Sequence, residues 1–454
     1  MKRLAFVAAL AFVLFSMQAT AGGKQPVIGA AMALAQATSG APPAPAPAAA
    51  PEETPRQVTA YTLPPNLYRK AHLRAQIQFW GQIAVFFYSL AVLLLVMKWR
   101  LAPKFRNWAE QATRRRALQA AIFAPLLLLS IAVMEIPTDV AQQYVERRFG
   151  ISIQGWGSWL WDWTKGELIA LLLGLVLVWI LYTTIRRSPR RWWFYFWLAS
   201  LPILVFVIFL QPLVVDPLFH KFAPLADKDP ALTVALERMV QRARGNIPPE
   251  RMFWMGAGEK STAVDAYVTG IGASKRIVVW DTTMAKMNTA QIVYVTGHEM
   301  GHYVLQHIPK FLVFYAGCLF VFFYVGYRLI GGMLARWGAA WSIQGVSDWA
   351  SLPALLFLLT ILSFIANPVS SAYSRHYEHQ ADQYGLEVTH GLTPDSGQVG
   401  AQVFQILGEV NLSDPEPNRV DVFLFYSHPS IPDRIRFCLT YDPWSKGGHG
   451  EFVP

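Results

Sequence analysis

Six long stretches without Asp, Glu, Lys or Arg constrain the fold of this chain more than any other feature of its sequence. Each is close to the length of about 20 apolar residues that a helix needs to cross a hydrocarbon core. Because 54% of all residues are hydrophobic and only 15% are charged, we predict a mainly α, polytopic helical membrane protein. The six stretches are Phe79–Met97, Ala117–Met134, Leu168–Ile185, Phe194–Val215, Phe311–Tyr327 and Leu352–Tyr373.

The amino-terminal residues have a different character. Residues 1–21 combine two basic residues, a short apolar run and a small-residue site, which predicts a signal peptide or an uncleaved first span, and therefore six or seven spans in all. Residues 22–65 are rich in Ala and Pro and predict a flexible tether. The rest divides into an N-terminal membrane region with four spans (66–215) and a domain with two further spans (216–454, with spans at 311–330 and 352–373).

The net charge of +10 lies largely in short loops beside the spans, at 98–116 and 186–191. Under the positive-inside rule these loops are cytoplasmic, so residues 216–310 and the chain after 374 lie on the opposite side. With the signal-like start, this predicts a multi-pass protein of a bacterial inner membrane with a periplasmic functional side; a cytoplasmic site is the alternative. The placement favours the lipid bilayer, and not nucleic acid, as the partner of the basic residues.

The segment HEMGH, residues 298–302, carries the strongest chemical signal. In a helix, residues four apart share a face, so His298 and His302 present two imidazoles to one Zn²⁺, and Glu299 lies beside them to take a proton from water. This segment precedes the fifth span, and an acidic segment at 374–382 follows the sixth. Two spans form a hairpin, so both segments emerge on one side and can meet. We therefore expect one zinc ion per chain.

A catalytic zinc ion usually takes a third protein ligand. The candidates after the sixth span are His376, Glu378, His379 and Asp382. Glu378 and Asp382 are four apart and share a helical face, so one can bind the metal while the other accepts an N–H from a histidine ligand. The two histidines are more typical of solvated positions at a membrane surface.

Together these motifs resemble the integral-membrane zinc metallopeptidases typified by the type I CAAX prenyl protease. The shared pattern is HEMGH, then two spans, then EHQAD at 378–382. Further segments resemble family blocks in family order: ERRFG (146–150), DPLFHKFAPL (216–225), KRIVVWDT (275–282) and YSHPSIPDRI (426–435). The resemblance implies a zincin-type catalytic domain of the HExxH-plus-Glu kind.

The resemblance also implies roles for individual residues. Glu378 would be the third ligand and Glu299 the general base, while Asp382 would orient a histidine ligand or help to move a proton. His428 and Arg434 would steady the substrate carbonyl or the tetrahedral oxyanion, since both can donate to developing negative charge. The alternative for these last two is a loop packed by prolines with a surface arginine.

One segment departs from the family pattern. The family has Asn-Ala-Tyr at its substrate-binding strand, whereas this chain has Asp265, Ala266 and Tyr267. An ionised Asp only accepts hydrogen bonds, so the substrate preference can differ from that of the family. The segment RIVVWD that follows predicts a strand of a short β-hairpin, whose edge could pair with an extended peptide or have a purely structural role.

We therefore expect a membrane-embedded zinc metalloendopeptidase. The resemblance implies processing of CAAX-type prenylated proteins or, in bacteria, proteolysis of membrane or exported proteins. The alternative is an inactive metal-binding scaffold or a transporter. The absence of charged residues from the six stretches argues against a transporter, because charges within spans mark ion paths. The retention of Glu299 argues against an inactive relative.

Overall fold

Long helices form the amino-terminal part of the protein. The computed structural model describes residues 57–210, 214–270 and 274–453, so the predicted signal peptide or first span at residues 1–21 lies outside the described part. The helices of this region are α1 (Pro65–Lys98), α2 (Leu101–Ala112), α3 (Arg116–Phe149), α4 (Trp156–Arg187) and α5 (Trp192–Leu210).

The second part adds a small sheet and eight more helices among the described residues. Its strands are β1 (Lys221–Pro224), β2 (Met252–Gly256), β3 (Ala266–Thr269) and β4 (Arg276–Trp280). Its helices are α6 (Pro230–Arg242), α7 (Asp281–Lys286), α8 (Thr289–Val304), α9 (His307–Trp337), α10 (Leu352–Thr389), α11 (Ser396–Asn411), α12 (Arg419–Phe425) and α13 (Ile431–Thr440).

Five of the six predicted spans are confirmed as helices long and apolar enough to cross a membrane, namely α1, α3, α4, α9 and α10. The fourth predicted span, Phe194–Val215, falls on α5, and the apolar part of this helix covers Trp192–Val207 among the residues that the structure describes. Residues 211–213 lie outside the described part, and residues 216–218 form a short 3-10 turn. The fold is mainly helical, as predicted.

The predicted hairpin belongs to a larger sheet. Strands β3 and β4 pair antiparallel, β4 pairs parallel with β2, and β1 completes the order β1-β2-β4-β3. The expectation that RIVVWD offers an edge to a peptide is therefore wrong, because β4 has a neighbour on each side. The strands at the two edges of the sheet are β1 and β3, and β3 begins at Ala266.

Helix α8 lies between this sheet and α10. Apolar residues of β3, β4, α8, α10 and α11 share one buried core. The contact between α8 and α10 depends on glycines, because a Cβ placed at Gly297 would lie 2.8 Å from Val388 Cγ1, and one at Gly301 would lie 3.0 Å from Tyr384 Cβ. This close approach brings HEMGH against the second half of α10.

The carboxyl end of the predicted tether is packed against the protein. Val58 exchanges two backbone hydrogen bonds with the side chain of Gln398, both 3.0 Å, and Gln405 binds the backbone of Thr62 in the same way. Tyr61 is buried and donates to Ser413 O. The prediction of a tether over residues 22–65 is thus wrong for residues 58–62, and the part before residue 57 lies outside the described residues.

Segments that the alternation of spans assigns to one side of the membrane contact each other. Arg106 of α2 donates to Asp348, which precedes α10, at 2.6 Å, and Arg186 at the end of α4 covers the ring of Trp349 at 4.0 Å. At the other end of the bundle, Ser152 pairs with Ser261 of the sheet region. The contacts agree with the predicted alternation.

Candidate metal centre

Helix α8 holds the first two candidate ligands in a buried position. It begins with a capping box, in which Asn288 and Gln291 each accept the other's backbone N–H at 3.0 Å. Such a cap satisfies two backbone donors that a helix start leaves open. One turn of helix separates His298 from His302, and their Nε2 atoms lie 3.3 Å apart. Glu299 is buried beside them.

Helix α10 brings a carboxylate to both imidazoles. Glu378 Oε2 lies 3.4 Å from His298 Nε2, and Glu378 Oε1 lies 3.5 Å from His302 Nε2. Within the described part of the chain, His298, His302 and Glu378 form the one group of three such residues whose ligand atoms lie within 4.8 Å of one another, and all three are buried. The hairpin of α9 and α10 thus brings together the residues that the sequence pattern predicted to meet.

The carboxylate of Glu378 is suited to a cation. Its side chain is 0% exposed, and neither oxygen has a hydrogen-bond partner. Burying an ionised carboxylate without a partner is costly, so such a group normally pairs with a charge or binds a metal. The arrangement of two imidazoles and one orphaned carboxylate fits a divalent metal ion.

Asp382 lies behind the first histidine. Its Oδ1 is 2.9 Å from His298 Nδ1, the ring nitrogen that faces away from Glu378. Burial alone would lower the pKa of His298, but the carboxylates of Asp382 and Glu378 outweigh it and raise this pKa to about 9. Burial and the charges of neighbouring histidines lower the pKa of His302 well below its usual value. The site therefore favours one positive charge at His298, and a metal cation would replace that proton.

The two late residues of the sequence analysis also reach this site. His428 Nε2 lies 3.2 Å from Glu378 Oε2, and burial lowers the pKa of His428 to about 4. Arg434 is 5% exposed and binds both oxygens of Asp382 through its Nε and Nη2 atoms, with Nε at 2.9 Å. The alternative of a surface arginine is therefore wrong. Arg434 holds Asp382, which in turn contacts His298.

His376 and His379 are exposed and lie outside the metal group. The ring of His376 packs beside Tyr377, and that of His379 packs against Phe437 with centroids 4.3 Å apart. Both side chains point away because they lie on another face of α10 than Glu378 and Asp382. Their interpretation as solvated positions agrees with this exposure.

Comparisons with known proteins agree with this geometry. A family model described as CAAX prenyl protease N-terminal, five membrane helices, matches residues 48–221, and the model of peptidase family M48 matches residues 226–441. A Bacillus subtilis protein named uncharacterized metalloprotease YhfN is 35% identical over 336 residues, which cover 74% of this chain and 77% of that protein. The chain belongs to peptidase family M48.

Eukaryotic proteins are also similar to this chain. The CAAX prenyl protease 1 of Saccharomyces cerevisiae is 24% identical over 387 residues, which cover 80% of this chain and 82% of the relative. The crystal structure of S. mikatae Ste24p shares the fold with a TM-score of 0.69 at 23% identity, covering 83% of this chain and 89% of that one. The protein is thus a multi-pass membrane metalloprotease of the M48 family, with a peptide as substrate and a metal at its centre.

The predicted substrate-binding segment of this M48 protease divides between two faces of the sheet. Asp265 is buried and lines a cavity with His298, Glu299 and Arg434. Tyr267 lies on the other face, where its hydroxyl contacts Asp216 at 3.4 Å. Asp265 precedes β3, so the alternation of side chains along the strand does not fix its direction, and it lies on the α8 side, whereas the Tyr267 hydroxyl contacts Met255 Sδ on the other side at 3.8 Å. Ala266 is buried in the core that β3 shares with α8.

One residue near the metal group was missed by the sequence analysis. His307 is 0% exposed, and its Nδ1 lies 3.0 Å from His302 Nδ1. Its Nε2 lies 3.2 Å from Gln380 Oε1 on α10. A third histidine five positions after HExxH was the available signal. The spacing alone did not predict the contact, because a straight helix would not bring a side chain five positions later beside His302.

Proposed function

We propose that this M48 protease is a zinc metalloendopeptidase that hydrolyses peptide bonds of membrane or exported proteins. The observation that carries the proposal is the convergence of His298, His302 and Glu378 from two helices. Two atoms that each lie about 2.0–2.1 Å from a tetrahedral zinc ion are about 3.4 Å apart. The separations of 3.3, 3.4 and 3.5 Å among these ligand atoms support zinc in this position.

The protein residues have distinct roles in the proposed mechanism. When bound, zinc supplies a Lewis acid that lowers the pKa of water and polarises a carbonyl group. Glu299, buried next to both histidines, accepts the proton of the attacking water and delivers it to the leaving nitrogen. Asp382 holds His298 in one orientation through its Nδ1. Arg434 fixes Asp382 in place.

His428 is our candidate for stabilising the oxyanion. Its Nδ1 lies 2.8 Å from Ser427 Oγ, and its Nε2 points toward Glu378. When Glu378 is occupied by a metal, that Nε2–H is available to donate to developing negative charge. Arg434 already binds both oxygens of Asp382, so its own part in oxyanion binding is smaller than the family resemblance implies.

The edge strand β3 is our candidate for holding the substrate. It is the last strand in the order β1-β2-β4-β3, and it packs near α8. An extended peptide could add to such an edge through main-chain hydrogen bonds. Asp265, which replaces the Asn of the family, would contribute an acceptor at the entrance of this strand.

The proposed location is a bacterial inner membrane with the metal centre on the periplasmic side. Two basic loops, at 98–116 and 186–191, support a cytoplasmic position for the opposite end of the bundle. Because the eukaryotic relatives are named CAAX prenyl proteases, prenylated CAAX proteins are the second candidate substrates. This alternative requires the active site to face the cytoplasm.

The test compares Glu299→Gln with the wild-type chain in nanodiscs. We expect Glu299→Gln to keep its zinc and to lose about 10²- to 10⁴-fold in turnover of an unstructured fluorogenic peptide. Glu250→Gln, at an exposed turn, is the matched control and should behave like wild type. Metal content by mass spectrometry and cleavage with and without a chelator complete the experiment.

Three outcomes would contradict the proposal. Turnover that survives in Glu299→Gln would remove Glu299 from its role as base. Cleavage that persists in the presence of a chelator would point to another active site. Wild-type protein that carries no metal and cleaves nothing would favour the scaffold.

A further inference from the structure

The Nδ1 atoms of the two histidines in the metal group face chemically different partners. His298 Nδ1 faces the charged carboxylate of Asp382 at 2.9 Å. His302 Nδ1 faces another imidazole, that of His307, at 3.0 Å. Beyond His307 lies an amide, because its Nε2 is 3.2 Å from Gln380 Oε1. The groups behind His302 are thus uncharged.

A break between α8 and α9 places His307 under His302. Gln306 has φ 58° and ψ 38°, a left-handed conformation that costs about 1–2 kcal/mol for a residue with a Cβ. With this turn between the two helices, the rings of His302 and His307 have centroids 5.0 Å apart and planes at 78°. His307 is completely buried at this position. The strained turn therefore serves a specific contact.

The hydrogen-bond directions along this chain of groups follow from the ligand role of His302. An imidazole that gives the lone pair of Nε2 to a metal carries its proton on Nδ1. Nδ1 of His307 must then accept a hydrogen bond from that N–H, so the proton of His307 lies on Nε2. The Nε2–H of His307 in turn donates a hydrogen bond to the side-chain oxygen of Gln380. The Gln380 amide nitrogen is left to donate to His376 Nε2, 3.4 Å away.

We infer that His307 and Gln380 are positioning residues that fix His302 in the tautomer and orientation that bind the metal, through an uncharged relay. This inference rests on the proposed zinc peptidase. Both groups behind His302 are neutral, in contrast to the carboxylate behind His298.

The main test measures the zinc affinity of the full-length chain in nanodiscs by competition with a chromophoric chelator. His307→Leu removes the acceptor, and His307→Asn restores one, since Asn Oδ1 occupies nearly the position of His Nδ1. We expect His307→Leu to weaken zinc binding about 10- to 100-fold. His307→Asn should stay close to wild type, and His449→Leu, at an exposed residue, is the control.

A second pair of variants tests the direction of the relay and does not require changing the buried His307. Glutamate at 380 can accept a hydrogen bond from His307 and cannot donate one, while methionine can do neither. We expect Gln380→Glu to retain the wild-type zinc affinity and Gln380→Met to lose affinity. At saturating zinc, each weakened variant should regain most of its kcat with an unchanged KM, because the relay acts through His302 and not on the substrate.

The possible outcomes separate the relay from the enzyme. Wild-type zinc affinity in both His307→Leu and Gln380→Met would overturn the relay and leave the peptidase proposal intact. Weaker binding by Gln380→Glu than by Gln380→Met would overturn the proposed direction. If His307→Leu does not fold, the Gln380 pair still decides the question. A wild-type chain that binds no zinc would contradict the proposed function itself.

Discussion

Helix α10 connects two buried polar clusters that differ in how completely their carboxylates are hydrogen-bonded. Near its start, Arg106 pairs with Asp348, which also accepts from the backbone of Gln344 and Ala350. Near its end, about 40 Å away along the helix axis, the carboxylate of Glu378 faces three imidazoles and has no hydrogen-bond partner. The first cluster is complete in itself, whereas the second is not.

The contrast between Asp348 and Glu378 distinguishes buried charges that stabilise the fold from buried charges that are suited to bind a ligand. A buried pair with its hydrogen bonds satisfied keeps a loop in place, and here it closes one end of the bundle. A buried carboxylate without a donor is a cost to the folded protein until a cation binds. Removing a carboxylate should therefore destabilise the zinc-free protein much more at the first cluster than at the second.

The largest expected effect follows from Glu378→Gln. We expect this variant to lose more than about 100-fold in zinc affinity, because a ligand contributes more than the groups behind it, and to lose turnover. The zinc-free variant should nevertheless lose little stability relative to zinc-free wild type, because neither oxygen of Glu378 has a hydrogen-bond partner to lose. Chelator competition and thermal unfolding of the zinc-free forms measure the two effects.

Glu387→Gln is the matched control for that prediction. Glu387 lies on the same helix and is likewise 0% exposed, but it accepts backbone N–H groups from Glu451, Phe452 and Val453 at 2.6–2.9 Å. This variant should lose stability and keep its zinc affinity. Equal stability changes at the two glutamates would show that the contrast between satisfied and orphaned carboxylates is false.

The next largest effect is expected at the opposite end, from Asp348→Asn. The change leaves the buried guanidinium of Arg106 without its charge partner, which typically costs about 3–5 kcal/mol. Thermal unfolding should occur at a lower temperature with and without zinc, while the zinc affinity stays the same. The double variant Arg106→Gln/Asp348→Asn should recover part of the stability. A changed zinc affinity would mean that the two ends are coupled.

A smaller effect is expected where α8 packs on α10. Gly297→Ala adds a methyl group 2.8 Å from Val388 Cγ1 and 3.3 Å from Thr389 Cγ2, and overpacking of this kind costs about 1–3 kcal/mol. Because the helix spacing also sets the distance from the histidines to Glu378, zinc affinity should fall together with stability. Gly331→Ala on α9, where no atom lies within 4 Å, is the control. Lost stability without lost affinity would separate the packing from the site.

The sequence predicts what depends on local periodicity. The spacing of His298 and His302, the four-residue spacing of Glu378 and Asp382, and the apolar lengths of five spans each reflect one helix, and a two-span hairpin brings the two pairs to one side. These features needed no knowledge of distant contacts.

The remaining features depend on contacts between distant segments. The strand RIVVW is interior because β2, from residues 252–256, pairs with it, and its nearly continuous apolar run is the kind of pattern that a strand with two neighbours shows. His307 reaches His302 only through the left-handed turn at Gln306. The pairing of Arg434 with Asp382 joins two residues that are 52 positions apart on different helices, so no local pattern could predict it.

The smallest effect tests whether a buried carboxylate without a hydrogen-bond partner can hold a metal when no histidines lie beside it. Asp421 of α12 is buried, its Oδ1 has no hydrogen-bond partner, and it is not a member of the metal group. Burial, with a further contribution from the charge of Asp414, raises the pKa of Asp421 to about 6. The folded protein therefore holds this proton up to a higher pH than the unfolded chain does. The stability that this provides is complete below pH 4 and is lost as the pH rises through 6.

Asp421→Asn removes this loss. At pH 8 we expect this variant to be more stable than wild type by about 1–3 kcal/mol, and therefore to unfold at a higher temperature. Near pH 4 the two proteins should be equally stable. Its zinc affinity and turnover at pH 8 should be unchanged, because no pair of histidines faces Asp421 in the metal group. Asp227→Asn, at an exposed turn, should show no such dependence on pH. A stability difference of the same size at pH 4 and pH 8 would exclude titration of Asp421 as its cause, and a loss of zinc would mean that orphaned carboxylates outside the His-His-Glu group also hold the metal.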